Sequence, residues 1–295
     1  MLASHRSHLP APWRFFLGLF SGVILCFAMQ AACYYGLGWK TGKGESNYFS
    51  TYGRFQAAAS PPAEIALVGS SITGRIPGRE AGNQEVANLG SDGGPALDGI
   101  RLIGMDRIET PKWLVIETNT LYGGMGQSDT LIVKGAQAPW FEVGTRFPLF
   151  GAMARPSAML YSFFLRRSVV QDAEAFNVSL DQIAQGTKEQ SFELTEAEKA
   201  CLNIYISELA EIQKRHCRIL LVTYPAGNRN ERENWLMRYT IAELSKHVPL
   251  SYIDLEKQIP RNDLQFTDSV HLGSYSSAKV LASIKQVIHY ILTTK

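Results

Sequence analysis

EIALVGSS, at Glu64–Ser71, gives the clearest indication of fold class in this chain, because the apolar run Glu64–Gly69 has the length of a strand and is followed by two serines. Three similar runs follow, namely Lys112–Thr118 (KWLVIET), Arg218–Tyr224 (RILLVTY) and Leu250–Leu255 (LSYIDL). All four are continuously apolar rather than alternating, which is typical of strands buried on both faces. We therefore predict a strand at each of them.

Helical patterns lie between and after these runs. Thr195–Glu198 is a capping box that opens one helix, and Asn230–His247 and Ser274–Leu292 are predicted to form two more. Strands that alternate with helices indicate a mostly parallel sheet covered by helices. The expected fold class is α/β, with a three-layer α/β/α architecture of the flavodoxin-like kind.

The composition suits a globular protein and excludes several classes. Of 295 residues, 45% are hydrophobic and 19% are charged, which is too apolar for a disordered chain. Four cysteines are too few for a disulfide scaffold. The net charge is +2, and residues 1–40 hold three basic residues and no acid, so the remainder is slightly acidic. No basic field for nucleic acid is present, and we expect no nucleic-acid partner.

The N-terminal region contains a candidate membrane span. Phe15–Trp39 has no charged residue, and its 25 residues would form a helix of roughly 37 Å, longer than the ~30 Å hydrocarbon core of a bilayer. Trp13 and Trp39 flank it, as interfacial aromatic residues do. We predict one transmembrane anchor over residues 15–39.

The charges around this span favour export of the rest of the chain. Arg6 and Arg14 precede the span, which places residues 1–14 in the cytoplasm and the remainder in the periplasm or outside the cell, although Lys40 follows it. Two alternatives stay open, a cleaved signal peptide and a lipoprotein signal that ends at Cys33. All three interpretations export the remainder.

The exported part divides into a linker and one domain. Residues 40–60 are rich in small and polar residues, so we predict a linker there. Residues 61–295 form the α/β domain, with an insertion at about 123–191 that is rich in aromatic residues and broken by prolines. This insertion is either ordinary packing over the strand ends or a surface for substrate or a partner. The aromatic residues and arginines of Phe147–Arg167 favour contact with the bilayer or a membrane partner.

Polar residues follow the predicted strands. Ser71 comes directly after the first strand, at the edge where open α/β sheets bind ligands. The glycine-rich stretch Asn88–Gly94 permits close approach of the backbone, and its N–H groups can face an oxyanion. Asn119 follows the second predicted strand, and its side-chain amide is a suitable oxyanion donor.

The last signal is Asp268-Ser269-Val270-His271, just before the final predicted helix. With this spacing the carboxylate can bond one ring nitrogen of His271, fix its tautomer and leave the other nitrogen as a base. Five other histidines lack such a neighbour, namely His5, His8, His216, His247 and His289.

These signals occur in the order serine, glycine loop, asparagine and Asp-x-x-His. In this order the chain resembles the SGNH (GDSL-like) hydrolase family over residues 61–295. The family's usual Asp before the nucleophile is Ser70 here, and its usual Gly-x-Asn-Asp is Glu117–Thr120. The Gly-Ser-Ser variant is similar to that of membrane-anchored, DltD-like members of the cell envelope.

The resemblance implies a role for each site residue. Ser71 would be the nucleophile, His271 the base and Asp268 the residue that orients the base. The backbone N–H groups of Ser71 and Gly93, with the side chain of Asn119, would form the oxyanion hole.

Two further assignments stay open. If the loop is aligned with the family motif in a different register, Gly90 or Gly94 takes the place of Gly93 in the oxyanion hole. Arg229, which follows the third predicted strand, is a candidate for substrate contact, and the alternative is a solvated loop arginine.

The activity that the resemblance implies is acyl transfer through an ester on Ser71, by an acetylesterase if water is the acceptor and by an O-acetyltransferase if a sugar hydroxyl is. The substrate would be a cell-envelope or exported polysaccharide, and a membrane-bound O-acyltransferase would be a partner. A non-catalytic glycan-binding or scaffold component is the alternative from another class, and a secreted lipase or general esterase is a third. Neither a metal nor another cofactor is expected, since no residues have ligand spacing and no phosphate-binding glycine loop precedes a helix.

Overall fold

The computed structural model describes residues 11–36, 44–59, 61–121, 130–168, 192–225, 229–268 and 270–294. Helix α1, Ala11–Ala31, continues as a π-helical segment over Ala32–Gly36. Together they include an apolar helix, Pro12–Gly36, that is long and apolar enough to cross a membrane. Residues 1–10 of the predicted cytoplasmic tail and residues 37–39 of the predicted span lie outside the described part.

The rest of the described chain alternates strands with helices. In chain order the elements are α2 (Asn47–Ala58), β1 (Ile65–Gly69), β2 (Val86–Gly90), α3 (Leu97–Gly104), β3 (Trp113–Glu117), α4 (Leu131–Gln137), α5 (Pro139–Arg146), α6 (Pro156–Ser168), α7 (Glu196–Lys214), β4 (Arg218–Thr223), α8 (Glu231–His247), β5 (Leu250–Asp254), α9 (Leu255–Gln258) and α10 (Ser274–Thr293). These strands form one parallel sheet in the order β2-β1-β3-β4-β5. The predicted α/β class with a parallel sheet is confirmed.

Helices cover both faces of the sheet. Because side chains alternate along a strand, Ala66 and Val68 of β1 pack on one face, in a core cluster with residues of α2, α3, α4, α5 and α7. Ile65 and Leu67 pack on the other face, in a cluster with residues of α9 and α10. This is the predicted three-layer arrangement, and it explains why the strands are apolar at nearly every position.

The segment that follows α1 belongs to the domain. The prediction of a linker over residues 40–60 is wrong for α2, whose N-terminus is capped by the Ser46 side chain. Phe55 of α2 is completely buried in the core, and Arg54 is 1% exposed. A segment that buries such side chains cannot act as a flexible tether. Residues 40–43 and 60 lie outside the described part.

Two other sequence predictions need correction or completion. Asn88–Gly90, assigned to a glycine-rich loop, are the last residues of β2, an edge strand that the sequence did not predict.

Residues 130–168 of the predicted insertion form α4, α5 and α6, and Val133 and Phe141 join the main core, so ordinary packing accounts for part of the insertion. Residues 122–129 and 169–191 lie outside the described part.

Candidate active site

Ser71 lies at the carboxyl edge of the sheet. It is the second residue after β1, and its side chain is half-buried. Asp268 and His271 lie in the loop before α10, where an isolated antiparallel bridge joins Phe266 to Leu272. From this loop the side chain of His271 reaches the turn that carries Ser71.

The three side chains form one hydrogen-bonded chain, which we call the candidate triad. His271 Nε2 lies 2.8 Å from Ser71 Oγ, and His271 Nδ1 lies 2.7 Å from Asp268 Oδ2. Because a carboxylate only accepts hydrogen bonds, Nδ1 carries the proton that is donated to Asp268, and Nε2 is left to accept from the Ser71 hydroxyl. Ser71 and His271 are 200 residues apart in sequence, so tertiary folding alone brings them together.

The carboxylate of Asp268 is held by its own turn. Its Oδ1 accepts the N–H of Val270 at 2.8 Å and the N–H of His271 at 2.7 Å. Partial burial opposes ionisation of Asp268, but the hydrogen bonds from His271 and Val270 outweigh that effect and lower its pKa. Asp268 therefore stays charged beside the imidazole ring, where it can fix the tautomer and orientation of that ring.

The turn that carries Ser71 rests on a buried carboxylate. Glu117, the last residue of β3, is 0% exposed. Its Oε2 accepts the N–H of Ser70 at 2.9 Å and both the N–H and the hydroxyl of Thr73, at 3.2 and 2.7 Å. Its Oε1 accepts the hydroxyls of Ser70 at 2.8 Å and Thr120 at 2.9 Å. These five donors offset the desolvation of the carboxylate and hold the backbone on both sides of Ser71.

Two positions at which the sequence departs from the resemblance, Ser70 and Glu117, are bonded to each other in this network. Ser70 stands where the resemblance expects an acid, and its hydroxyl and N–H both donate to Glu117. Glu117 in turn stands where a glycine is usual. The carboxylate beneath the turn therefore comes from the neighbouring strand, and the short hydroxyl side chains of Ser70 and Thr120 donate to it.

The loop after β2 presents an available backbone donor. The N–H of Gly90 donates to the Asn88 side chain at 2.8 Å, and the N–H of Gly94 donates to a carbonyl within the loop at 3.0 Å. Gly93 has a φ of +71°, which glycine adopts readily, and its N–H has no partner among the described residues. Of the three glycines considered for the oxyanion hole, Gly93 is therefore the one whose N–H is not already used by a partner in the described part of the chain.

A buried ion pair holds this loop from the side of α2. Arg54 Nη2 lies 2.8 Å from Asp92 Oδ1, Nη1 lies 3.2 Å from Oδ2, and Nη2 also donates to the carbonyl of Gly90 at 2.9 Å. The N–H of Asp92 donates to the Thr51 hydroxyl at 2.8 Å. Such a bidentate pair constrains geometry as well as charge, so α2 positions the loop that contains Gly93.

A second carboxylate holds the same loop from the side of α3. Asp98 is buried and accepts the hydroxyls of Ser91 and Thr130, both at 2.6 Å. Burial raises the pKa of Asp98, and the two hydroxyl donors partly oppose this rise. Asp98 thereby joins the loop after β2 to the start of α4.

Two predicted site residues have structural partners. Asn119 Nδ2 donates to the carbonyl of Tyr224 at 2.9 Å and Oδ1 accepts its N–H at 2.7 Å, which ties the end of β3 to the end of β4. Its role as an oxyanion donor stays a prediction. Arg229 forms an ion pair with Glu256 and donates to Asn234 Oδ1 at 3.0 Å. These contacts join the start of α8 to α9, and none of those described involves the candidate triad.

Among the described residues, no group of three or more His, Cys, Asp or Glu side chains is arranged to hold a metal ion.

No protein-family model, no curated protein and no solved structure matches the chain. The case for an active site therefore depends on the geometry of the residues themselves.

Glu117 and Arg54 are the site residues that sequence reasoning missed. A sequence signal for Glu117 exists: it is an acid at the end of an apolar strand, in a chain that has Ser70 where the resemblance expects an acid. The two positions could therefore have been predicted to interact. Arg54 carried no such signal, because the segment around it is predicted to be a linker.

Proposed function

We propose that this protein is a serine acyl-ester enzyme of the SGNH (GDSL-like) type, an O-acetyltransferase or acetylesterase acting on a cell-envelope or exported polysaccharide. The candidate triad carries the proposal, because one imidazole is bonded to both a serine hydroxyl and a carboxylate. The position of the triad at the carboxyl edge of a parallel sheet, where ligands bind in such folds, also supports the proposal.

The mechanism follows from these contacts. His271 Nε2 removes the hydroxyl proton as Ser71 Oγ attacks the ester carbonyl carbon, and the electron pair of the carbonyl moves to its oxygen. The N–H groups of Ser71 and Gly93 stabilise this oxyanion, and one such donor is typically worth about 10²–10³ in rate. Collapse then expels the alcohol, which takes the proton from His271, and leaves an acyl ester on Ser71. Water or a sugar hydroxyl attacks this ester with the same base.

We infer that α1 anchors the enzyme in a membrane. The helix exposes apolar side chains along most of its length, and Arg6 and Arg14 near its start favour a cytoplasmic N-terminus. The α/β domain would then lie in the periplasm or outside the cell, close to envelope polysaccharides. A membrane-bound O-acyltransferase is the partner that such a position suits, because it would supply acyl groups from the membrane.

Labelling with a fluorophosphonate tests the proposed nucleophile. Full-length protein in detergent is treated with the reagent and analysed by intact mass and peptide mapping, beside Ser71→Ala and His271→Ala. The exposed residues Ser245 and His289 provide matched controls as Ser245→Ala and His289→Ala. We expect one adduct on Ser71, no adduct in Ser71→Ala, much slower labelling in His271→Ala and no change in the controls.

The outcome also distinguishes the alternatives. A folded protein that forms no adduct would contradict the enzymatic proposal and favour a glycan-binding or scaffold role. If the adduct forms, incubation with an aryl acetate and an oligosaccharide identifies the acceptor. Acetyl groups recovered on the sugar indicate a transferase, and free acetate alone indicates an esterase.

A further inference from the structure

The apolar helix is bonded to the domain near its outer end. Gln30 Nε2 donates to the carbonyls of Leu149 and Ala154, at 2.9 and 2.7 Å. The rings of Phe27 and Phe150 meet edge to face, with centroids 5.7 Å apart. The segment between α5 and α6 therefore packs against α1 itself and lies at the same height as the last turns of that helix.

The position of Gln30 along α1 gives the depth of this segment. At 1.5 Å per residue, about 26 Å of helix separate Trp13 from Gln30, compared with a hydrocarbon core of about 30 Å. With Trp13 at the inner interface, Gln30 lies near the outer boundary of the core. A side-chain amide there needs hydrogen-bond partners, and two backbone carbonyls of the domain supply them. Phe27 lies about one turn deeper, so the Phe150 ring that contacts it reaches the edge of the hydrocarbon.

Four large apolar side chains of this segment and of α6, which follows it, are more than half exposed, and we call them the apolar rim: Phe147, Phe150, Leu160 and Phe164. The Phe147 and Phe150 rings contact each other, with centroids 6.5 Å apart. Leu160 and Phe164 are four residues apart on α6 and therefore share one face of that helix. Ala158 and Met159 of the same helix are buried, so α6 packs on the domain while its apolar rim residues face outwards.

We propose that the apolar rim enters the lipid interface on the side of the membrane where the α/β domain lies. Contact with α1 identifies lipid as the occupant, because the Phe150 ring of the rim packs on Phe27 of a helix whose own exposed surface is apolar. Moving aromatic and aliphatic side chains from water to this depth lowers the free energy. The domain would then be held against the bilayer at two places rather than tethered at one. This inference depends on the anchoring proposed for α1 and not on the catalytic chemistry.

Nitroxide labels on the full-length protein in phospholipid nanodiscs test the proposal. Cys26→Ser and Cys33→Ser first remove the two cysteines of the apolar helix, and the remaining two native cysteines are buried. Labels are then placed singly through Phe150→Cys and Leu160→Cys. Phe20→Cys provides a reference within the span, and Tyr290→Cys, on α10, provides a reference in water, since both side chains are well exposed.

Collisions with dissolved oxygen and with a water-soluble nickel chelate report the surroundings of each label. We expect the labels at positions 150 and 160 to resemble the label at position 20. Their collision rate with the chelate should be about tenfold lower than at position 290, since lipid excludes a polar reagent. Their collision rate with oxygen should stay high.

Three other results would overturn the inference. If the chelate reaches positions 150 and 160 as freely as position 290 while position 20 stays protected, α1 is an anchor but the rim lies in water. If the chelate also reaches position 20, the anchoring itself fails. If neither reagent reaches positions 150 and 160, protein covers the rim, as in contact with a second copy of the chain.

Discussion

Replacing Glu117 with alanine is expected to release the turn that carries Ser71. The carboxylate has five donors, and two of them are the backbone N–H groups of Ser70 and Thr73. Hydroxyl donors can rotate towards another acceptor, but a backbone N–H cannot. The alanine variant therefore leaves at least two buried donors without a partner, one just before the nucleophile candidate and one two residues after it.

The size of the effect follows from these donors. A buried N–H without a partner costs about 1–3 kcal/mol, so Glu117→Ala should lower the free energy of unfolding by about 2–6 kcal/mol, in addition to the effect of the cavity. Glu117→Gln keeps one oxygen in place to accept from both N–H groups. It loses mainly the charge assistance of these bonds, which is about 1 kcal/mol for each, or about 2 kcal/mol in total. Alanine should thus cost between about one and three times as much as glutamine from the lost hydrogen bonds alone, and the cavity adds to the cost of alanine.

Thermal unfolding of the full-length protein in detergent measures the difference. For a domain of this size, 1 kcal/mol shifts Tm by about 2–4 °C, so we expect about 4–8 °C for glutamine and clearly more for alanine. The control is Glu64→Gln, whose exposed pair with Lys112 should be worth at most about 1 kcal/mol. Labelling of Ser71 should fall further in Glu117→Ala than in Glu117→Gln. An alanine variant as stable as the control would refute the view that Glu117 supports the turn.

Other predictions concern the rest of the site and the core. Asp268→Asn should fold normally and slow labelling of the serine by about 10²–10⁴, because an amide does not fix the ring tautomer as a carboxylate does; an unchanged rate would exclude an orienting role. The pKa of Asp268 is lower in the folded protein than its unfolded-state value of about 3.9, so its ionisation stabilises the fold above that pH, and this contribution is lost as the pH falls through the folded-state pKa. The Tm of Asp268→Asn should therefore fall less at acidic pH than the Tm of the unmodified protein. Arg54→Ala should lower the free energy of unfolding by about 3–5 kcal/mol, because Asp92 loses its partner, and adding Asp92→Asn should restore part of it in a double-mutant cycle. Phe55→Ala should cost about 3–5 kcal/mol if α2 belongs to the core, and a cost as small as that of the exposed Tyr290→Ala would contradict this.

The sheet could be predicted largely from the sequence, because a strand covered on both faces must be apolar at nearly every position. β1, β3, β4 and β5 coincide with the predicted runs to within one or two residues. β2 has the same five-residue length as β1, but it escaped prediction because Asn88 interrupts its apolar run. That side chain is buried, since its amide donates to the carbonyls of Thr73 and Ile76 in the turn that follows β1. A polar residue that is satisfied by a distant turn cannot be distinguished from a loop residue by pattern alone.

α2 escaped prediction for a related reason. Its buried face includes Arg54, whose charge is matched by Asp92 across 38 residues of sequence, and Gln56, whose oxygen accepts the N–H of Ala152 at 2.8 Å. Both side chains would be solvent-exposed in an isolated segment. The small and polar composition therefore suggested a linker, although the helix is part of the core.

Features that depend on neighbours along the chain could be derived from its residues: the apolar span of α1, strands β1, β3, β4 and β5, the capping box at Thr195 and the Asp268–His271 pair within one turn. Tertiary folding sets which side chains from distant parts of the chain meet. It joined Ser71 to His271 across 200 residues and Ser70 to Glu117 across 47. This is because a polar group in the interior needs a partner of complementary chemistry, and neither periodicity nor composition specifies which distant residue supplies it.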